Sequence, residues 1–176
     1  MKQERLIGAG FFHDKQIKLH DDPSEFENLI TLDINPDRKP DVVWDLNDMP
    51  LPFEHEIFDE IHAYHVLEHL GSQGDAKAFF GFFEEMWRLL KIGGRFHATV
   101  PYWKGEWVFG DPGHTRMIHP NSIQFLSQDF YKNKENTMTS DYRYIYKANF
   151  SVASAIYNDD PHNGVFGFIL KKEKIC

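Results

Sequence analysis

Four short apolar runs, each stopped by glycine, an acid or a histidine, constrain the fold of this chain more than any other feature. They are "RLIGAG" at 5–10, "LITLDI" at 29–34, "DVVW" at 41–44 followed by Asp45, and "IFDEIHAYHVL" at 57–67. Runs of this length, rich in β-branched and aromatic residues, read as buried strands. The clearest helix follows in "GDAKAFFGFFEEMWRLLKIGG", with Phe79, Phe83, Met86 and Leu90 on one stripe, Asp75 near its start, and Gly93 and Gly94 as its stop. A fifth strand, "RFHATVPY" at 95–102, comes directly after it, closed by Pro101. Beyond a loop rich in Gly, Pro, Trp and His, "HPNSIQFLS" starts a helix with Pro120 in its first turn. "YRYIYKANFSVASAIY" and "GVFGFILKK", joined by the turn "NDDPHNG", predict an antiparallel pair. The expectation is one α/β domain over 1–176, a doubly wound and mostly parallel sheet with a C-terminal antiparallel hairpin. Helices are reduced in its N-terminal half, because "FFHDKQIKLHDDPSEFENL" has no sustained helical period.

In such a sheet, ligands sit outside the carboxyl ends of the strands, where the strand order reverses. Gly8 and Gly10 after the first run permit a tight turn and close backbone approach, or serve turn geometry alone. Asp33, 23 residues beyond Gly10, can accept hydrogen bonds from both hydroxyls of a ribose, or belong to a plain "DINPD" turn. Asp45 can take an adenine amino proton beside the apolar Leu46, or merely cap the next segment. Taken in order, these strand ends suit an adenosine-containing ligand.

Composition narrows the partners. Net charge is −8 and the 19 Lys and Arg are scattered, which disfavours a phosphate backbone as partner. The single cysteine, Cys176, excludes an intramolecular disulfide and a cysteine zinc cluster. "MKQERLIGAGFF" lacks the pattern of a secretory signal, and no run approaches about 18 apolar residues, so the expectation is a cytoplasmic protein without membrane association.

"YHVLEHL" at 64–70 contains His65, Glu68 and His69 in the H-x-x-E-H spacing of a zinc peptidase. That chemistry needs both histidines on one helix and a third ligand from elsewhere. Here His65 continues a strand, so Glu68 and His69 read as a turn at a pocket rim and no metal ligand is assigned. A nicotinamide fingerprint would need glycine at 13, which is His13.

"HVLEHL" after the fourth strand and "RLLKIGGRFHATVP" into the fifth resemble the class I S-adenosylmethionine-dependent methyltransferases, from about 29 to 127. Ile92 stands where the family's Leu-Lys-Pro-Gly-Gly turn has proline, and Phe12 where its glycine loop carries a third glycine. The resemblance implies a Rossmann-like fold and S-adenosylmethionine as cofactor. It implies that Gly8 and Gly10 approach the methionine part, Asp33 with the adjoining Ile34 holds the ribose, Asp45 and Leu46 hold the adenine, and His65 lines the methionine end. The activity expected is methyl transfer to a small-molecule or glycan-type acceptor. A catalytically inactive binding or assembly module on the same fold is the alternative.

The acceptor would be met by "YWKGEWVFGDPGHTRMIHP" after strand five. There Trp103 and Trp107 can exclude water, His114 has the range of a general base, and Arg116 can clamp an anion. Equally, "DPGHTR" can be a rigid turn in which Asp111 pairs with Arg116. The trimmed first crossover leaves one sheet face short of helices, which leads to the expectation of a homodimer.

Overall fold

A computed structural model describes residues 2–11, 13–132 and 140–175. Phe12 and Cys176 lie outside the described residues. The chain forms β1 (Glu4–Ile7), β2 (Leu29–Asp33), β3 (Val42–Val43), β4 (Phe58–Tyr64), α1 (Ala76–Leu89), β5 (Leu90–Pro101), α2 (Pro120–Gln124), α3 (Gln128–Lys132), β6 (Phe150–Asn158) and β7 (Val165–Lys172). The strands make one sheet in the order β3-β2-β1-β4-β5-β7-β6. β1 to β5 run parallel, while β7 pairs antiparallel with β5 and with β6. The doubly wound α/β sheet with its antiparallel hairpin is therefore present, and the strand order reverses between β1 and β4.

Asp75 caps α1 by accepting the Ala78 N–H at 2.9 Å, and the helix packs Phe80, Phe83, Met86 and Leu89 onto Ile61, Ala63, Phe96 and Ala98 of the sheet. The glycine pair does not stop this helix. The chain turns extended at Leu90, which pairs with Phe58, and Gly93 at φ 81° takes up a register shift before Arg95 pairs with Glu60. Gly94 is needed beside it, since a Cβ there would lie 3.0 Å from the Asp59 carbonyl oxygen.

Between β1 and β2 there is no helix among the described residues, in line with the expected reduction. The corresponding sheet face is covered by the irregular segment 13–28 through charge and a few apolar contacts. Ile17, Phe26 and Leu29 pack on Leu6, Ala9 and Tyr64. Beside them the buried Glu60 carboxylate takes Arg95 at 2.6 Å, Lys2 at 2.7 Å and Lys15 at 3.2 Å, and Asp22 reaches Arg95 at 2.6 Å. Burial would raise the Glu60 carboxyl, but hydrogen bonds from His62 and Lys2 outweigh it and hold it below the usual range. Burial also pushes the neighbouring His97 imidazole down to about 2, so it is neutral in the folded state. The face from which self-association was expected is thus covered over β1, β4 and β5, whereas Val152, Ile156 and Tyr157 of β6 stay exposed. No described helix is long and apolar enough to cross a membrane.

Candidate functional site

At the strand-order reversal a cavity of about 380 Å³ opens beyond the carboxyl ends of β1 to β4. Six of the sequence-derived positions line it: Gly8, Asp33, Ile34, Asp45, Leu46 and His65. Its volume falls within the roughly 300–1,000 Å³ of small-ligand sites.

Each strand end contributes through its backbone as well as its side chain. Gly8 has φ 59°, and a Cβ there would lie 2.4 Å from Val66 Cγ2, so only glycine lets the β1 turn lie against the end of β4. Gly10 lies outside the cavity wall but donates its N–H to Asp33 Oδ2 at 2.9 Å. Asp33 Oδ1 accepts the Asn35 N–H at 2.8 Å, so this nearly buried carboxylate braces the glycine turn against β2. Each of its oxygens keeps a lone pair for a ligand hydroxyl. Asp45 Oδ1 accepts from the backbone and side-chain amides of Asn47, which shapes the turn carrying Leu46 and Trp44 to the cavity. Ile34, 62% exposed, supplies an apolar part of the wall.

His65 ends β4 in a left-handed conformation, φ 54°, held by its N–H on the Thr99 carbonyl at 2.8 Å. Left-handed backbone is costly for a residue with a side chain, and such positions concentrate at functional sites. The chain then makes a single 3-10 turn, Leu67–His69, so His65 and His69 do not share a helix. The single helix that a zinc-peptidase pattern needs is not formed over His65–His69.

The loop after β5 is tied to this turn. Thr115 and Arg116 donate their N–H groups to the Glu68 carbonyl at 2.9 and 3.1 Å, and Gln73 donates to the Thr115 carbonyl at 2.9 Å. A second cavity, about 330 Å³, lies between this loop and the β6–β7 turn. It is lined by His65, Pro101, Trp107, Asp111, His114, His162, Asn163, Gly164 and Val165. Because His65 faces both cavities, the two adjoin.

The two candidate catalytic residues part company here. His114 lines the second cavity, with Nδ1 bonded to the Trp107 carbonyl at 2.5 Å. Arg116 does not reach it. Its buried guanidinium donates to the carbonyls of Leu70, Ser72 and Asp75 at 3.0, 2.7 and 2.9 Å and faces a separate cavity beside α1. Burial lowers its pKa. The expected anion clamp is instead a brace for the turn before α1. Nor does Asp111 pair with it, since Asp111 Oδ1 accepts the Gly113 N–H at 2.7 Å. Trp107, 55% exposed, lines the second cavity, while Trp103 packs among Tyr102, Tyr157 and Phe166.

Trp44, Asn47, Val66 and Leu70 also line the first cavity, unassigned from the sequence, beside His69 of the expected rim turn. Their signal was position beside a polar strand end. His162, in the "NDDPHNG" turn, bonds Glu106 through Nδ1 at 2.9 Å, and that carboxylate raises its pKa. Nothing local marks it, because it reaches the second cavity only through the β6–β7 hairpin.

Residues 23–98 match the family model described as "Methyltransferase domain". The likeness to that family covers these residues, and the fold of the chain is the Rossmann-like fold of the methyltransferase structures it resembles. Its solved structural neighbours include the N-methyltransferase NodS of Bradyrhizobium japonicum WM9, with TM-score 0.60 and 13% identity over 98% of this chain and 86% of that one. A S-adenosylmethionine-dependent methyltransferase of Archaeoglobus fulgidus matches with TM-score 0.58 and 16% identity over 97% and 86%. NodS in complex with S-adenosyl-L-homocysteine matches with TM-score 0.57 and 14% identity over 98% and 79%. No curated protein gives a significant sequence match. The matched residues end inside β5, so the loop and hairpin enclosing the second cavity lie beyond them.

Proposed function

We propose that this chain is an S-adenosylmethionine-dependent methyltransferase that binds its cofactor in the cavity at the ends of β1 to β4 and methylates a small-molecule or glycan-type acceptor held in the adjoining cavity. The observation that carries the reading is the convergence of Gly8, Asp33, Ile34, Asp45, Leu46 and His65 on one cavity at the strand-order reversal. They fit the cofactor piece by piece. Asp33 offers carboxylate lone pairs to a ribose diol, Asp45 accepts beside the apolar Leu46, Ile34 and Trp44, and Gly8 lets backbone approach the amino-acid end. The neighbour NodS was solved with S-adenosyl-L-homocysteine, which supports the same ligand class.

When bound, S-adenosylmethionine supplies an electrophilic methyl group and a neutral thioether leaving group. The protein's task is then largely orientation, which can be worth effective molarities of about 10⁵–10⁸ M. An acceptor bearing O–H or N–H must also lose a proton, and the imidazoles of His65, His114 and His162 all face the acceptor cavity. A cavity of about 330 Å³ with one tryptophan and several polar groups suits a sugar or a compact polar molecule.

Titration calorimetry with S-adenosylhomocysteine tests the cofactor half. Wild type should bind one equivalent. Asp33→Ala should bind at least about tenfold more weakly, since two charge-assisted hydrogen bonds are removed. It should also lose about 1–3 kcal/mol of stability, because the Gly10 and Asn35 N–H groups lose their acceptor. No heat and no thermal shift in the wild type would refute the reading.

A further inference from the structure

Glu68 is 2% exposed, and neither of its carboxylate oxygens accepts a hydrogen bond from any described residue. A buried carboxylate without donors is costly, so its surroundings should contain what compensates it. They are imidazoles. His65 Nδ1 lies 3.3 Å from Oε1 and His114 Nε2 lies 4.0 Å from the same oxygen. His69 completes the group, with one ligand atom from each of Glu68, His69 and His114 within 4.8 Å of the others.

The histidines are oriented for the purpose. His69 Nδ1 bonds the Gly113 carbonyl at 3.0 Å, and His114 Nδ1 bonds the Trp107 carbonyl. A carbonyl only accepts, so both rings carry their proton on Nδ1 and keep a lone pair on Nε2. Holding an imidazole by its far N–H on a backbone carbonyl is how metal-binding histidines are fixed. Gly113 allows it, since a Cβ there would lie 3.2 Å from His69 Nδ1. The pairing of Thr115 and Arg116 with the Glu68 carbonyl brings His114 to the carboxylate from 46 residues away.

We propose that Glu68, His69 and His114 bind one divalent transition-metal ion, on the wall between the two cavities. Two imidazoles and a carboxylate suit Zn²⁺, Fe²⁺, Co²⁺ or Ni²⁺ better than Mg²⁺ or Ca²⁺. Three protein ligands leave coordination positions open, as in catalytic rather than structural zinc sites. The present spread exceeds the roughly 3.4 Å between ligands of tetrahedral zinc, so the side chains must draw in by about an ångström. The exposed His69 has room to do so. The sequence reading assigned no metal, and the H-x-x-E-H pattern enters this site differently from a peptidase: Glu68 is a ligand, and His65 is not one of the three.

The other Glu-His-His cluster, Glu60, His62 and His97, makes an instructive contrast. Its carboxylate already holds Lys2, Lys15 and Arg95, so an added cation would meet three resident ones. Glu68 has no Lys or Arg partner among the described residues. His69 lines the cofactor cavity and His114 the acceptor cavity. An ion between them would offer its open positions to an acceptor oxygen and acidify a bound hydroxyl, a role that rests on the assignment of the second cavity.

The test is titration of metal-free wild type with Co²⁺ alone, followed by its ligand-field absorption and by calorimetry, then with Zn²⁺ in competition. One equivalent should bind, with a band intensity typical of a low-coordinate N/O site. Glu68→Gln and His69→Ala should each weaken Co²⁺ binding by more than about tenfold. His20→Ala, an exposed histidine outside the cluster, should leave it unchanged. Should Glu68→Gln fail to fold by circular dichroism, His69→Ala carries the test, being exposed. Absence of stoichiometric Co²⁺ binding to wild type, or variants that bind as wild type does, overturns the proposal. S-adenosylhomocysteine titrated into the same samples separates the two readings. Its binding without Co²⁺ binding refutes the metal site alone, and Co²⁺ binding without it refutes the cofactor site alone.

Discussion

Gly8→Ala places a methyl group where the β1 turn meets β4, and the structure sets the size of the effect. The new Cβ would sit 2.4 Å from Val66 Cγ2 in a backbone conformation with φ 59°. The left-handed conformation costs a residue with a Cβ about 1–2 kcal/mol. The clash adds roughly 1–3 kcal/mol, the usual range for overpacking, since Val66 is only 7% exposed and backed by the core. The sum is about 2–5 kcal/mol of stability. Relief by moving Val66 displaces His65 and the wall of the cofactor cavity, so affinity for S-adenosylhomocysteine should fall by at least about tenfold. The assay is urea denaturation with calorimetry on Gly8→Ala, Val66→Ala and the double variant. Removing the Val66 methyls should restore the steric part, so the two substitutions couple by about 1–3 kcal/mol, and the conformational part remains. Additive losses, or a Gly8→Ala protein within about 0.5 kcal/mol of wild type with unchanged affinity, would refute the argument.

Arg116→Met removes the side-chain donor from the carbonyls of Leu70, Ser72 and Asp75, of which the last two keep the N–H groups of Asp75 and Phe79, and should cost about 1–3 kcal/mol, measured by urea denaturation. Affinity for S-adenosylhomocysteine should change less than twofold in calorimetry. Full stability with impaired acceptor binding would restore the anion-clamp reading. The buried His97 gives a pH dependence: its folded pKa is about 2 against 6.5 in the unfolded chain. The unfolded state therefore takes up a proton first, so this contribution is whole above pH 6.5 and is lost as pH falls below it, at about 1.4 kcal/mol per unit. Urea denaturation at pH 6.5 and 5 should show a steeper loss in wild type than in His97→Phe, and equal slopes would refute the assignment.

The sheet and the residues that converge on the strand-end cavity were legible because a parallel sheet marks its own ligand edge. Gly8, Asp33, Asp45 and His65 interrupt apolar runs, and the interruption fixes both the strand end and the residue exposed there. Strand starts were less legible. Gly93 and Gly94 carry the pattern of a helix stop, yet Leu90 already leaves α1 to pair with Phe58, a choice made by a partner 32 residues earlier. The segment 13–28 shows no period because it covers the sheet through Lys15 and Asp22 against Glu60 and Arg95, and ion pairs leave no periodic trace. Arg116 illustrates the same limit at the site. A cation in a polar loop reads as a binding group until the three carbonyls that occupy it are brought near by the fold.

The segment from His65 to Leu70 joins these two regimes. Val66 closes against Gly8, and His65, His69 and Leu70 wall the cofactor cavity, all decided locally by the end of β4. Glu68 points the other way. Its carbonyl anchors Thr115 and Arg116, and its side chain faces His114, so the acceptor loop hangs from the same turn that shapes the cofactor cavity. Between that anchor and the end of β5, residues 103–113 are tied to the C-terminal hairpin, through Trp103 on Tyr157 and Phe166 and through the Glu106 N–H on the Pro161 carbonyl. Trp107 from the loop and His162 from the β6–β7 turn both line the second cavity. On the proposed assignment of the two cavities, acceptor selectivity would be set by these two segments, and the anchored turn would shape the cofactor cavity. The residues lining the second cavity are for that reason the ones that strand-end reasoning could not place.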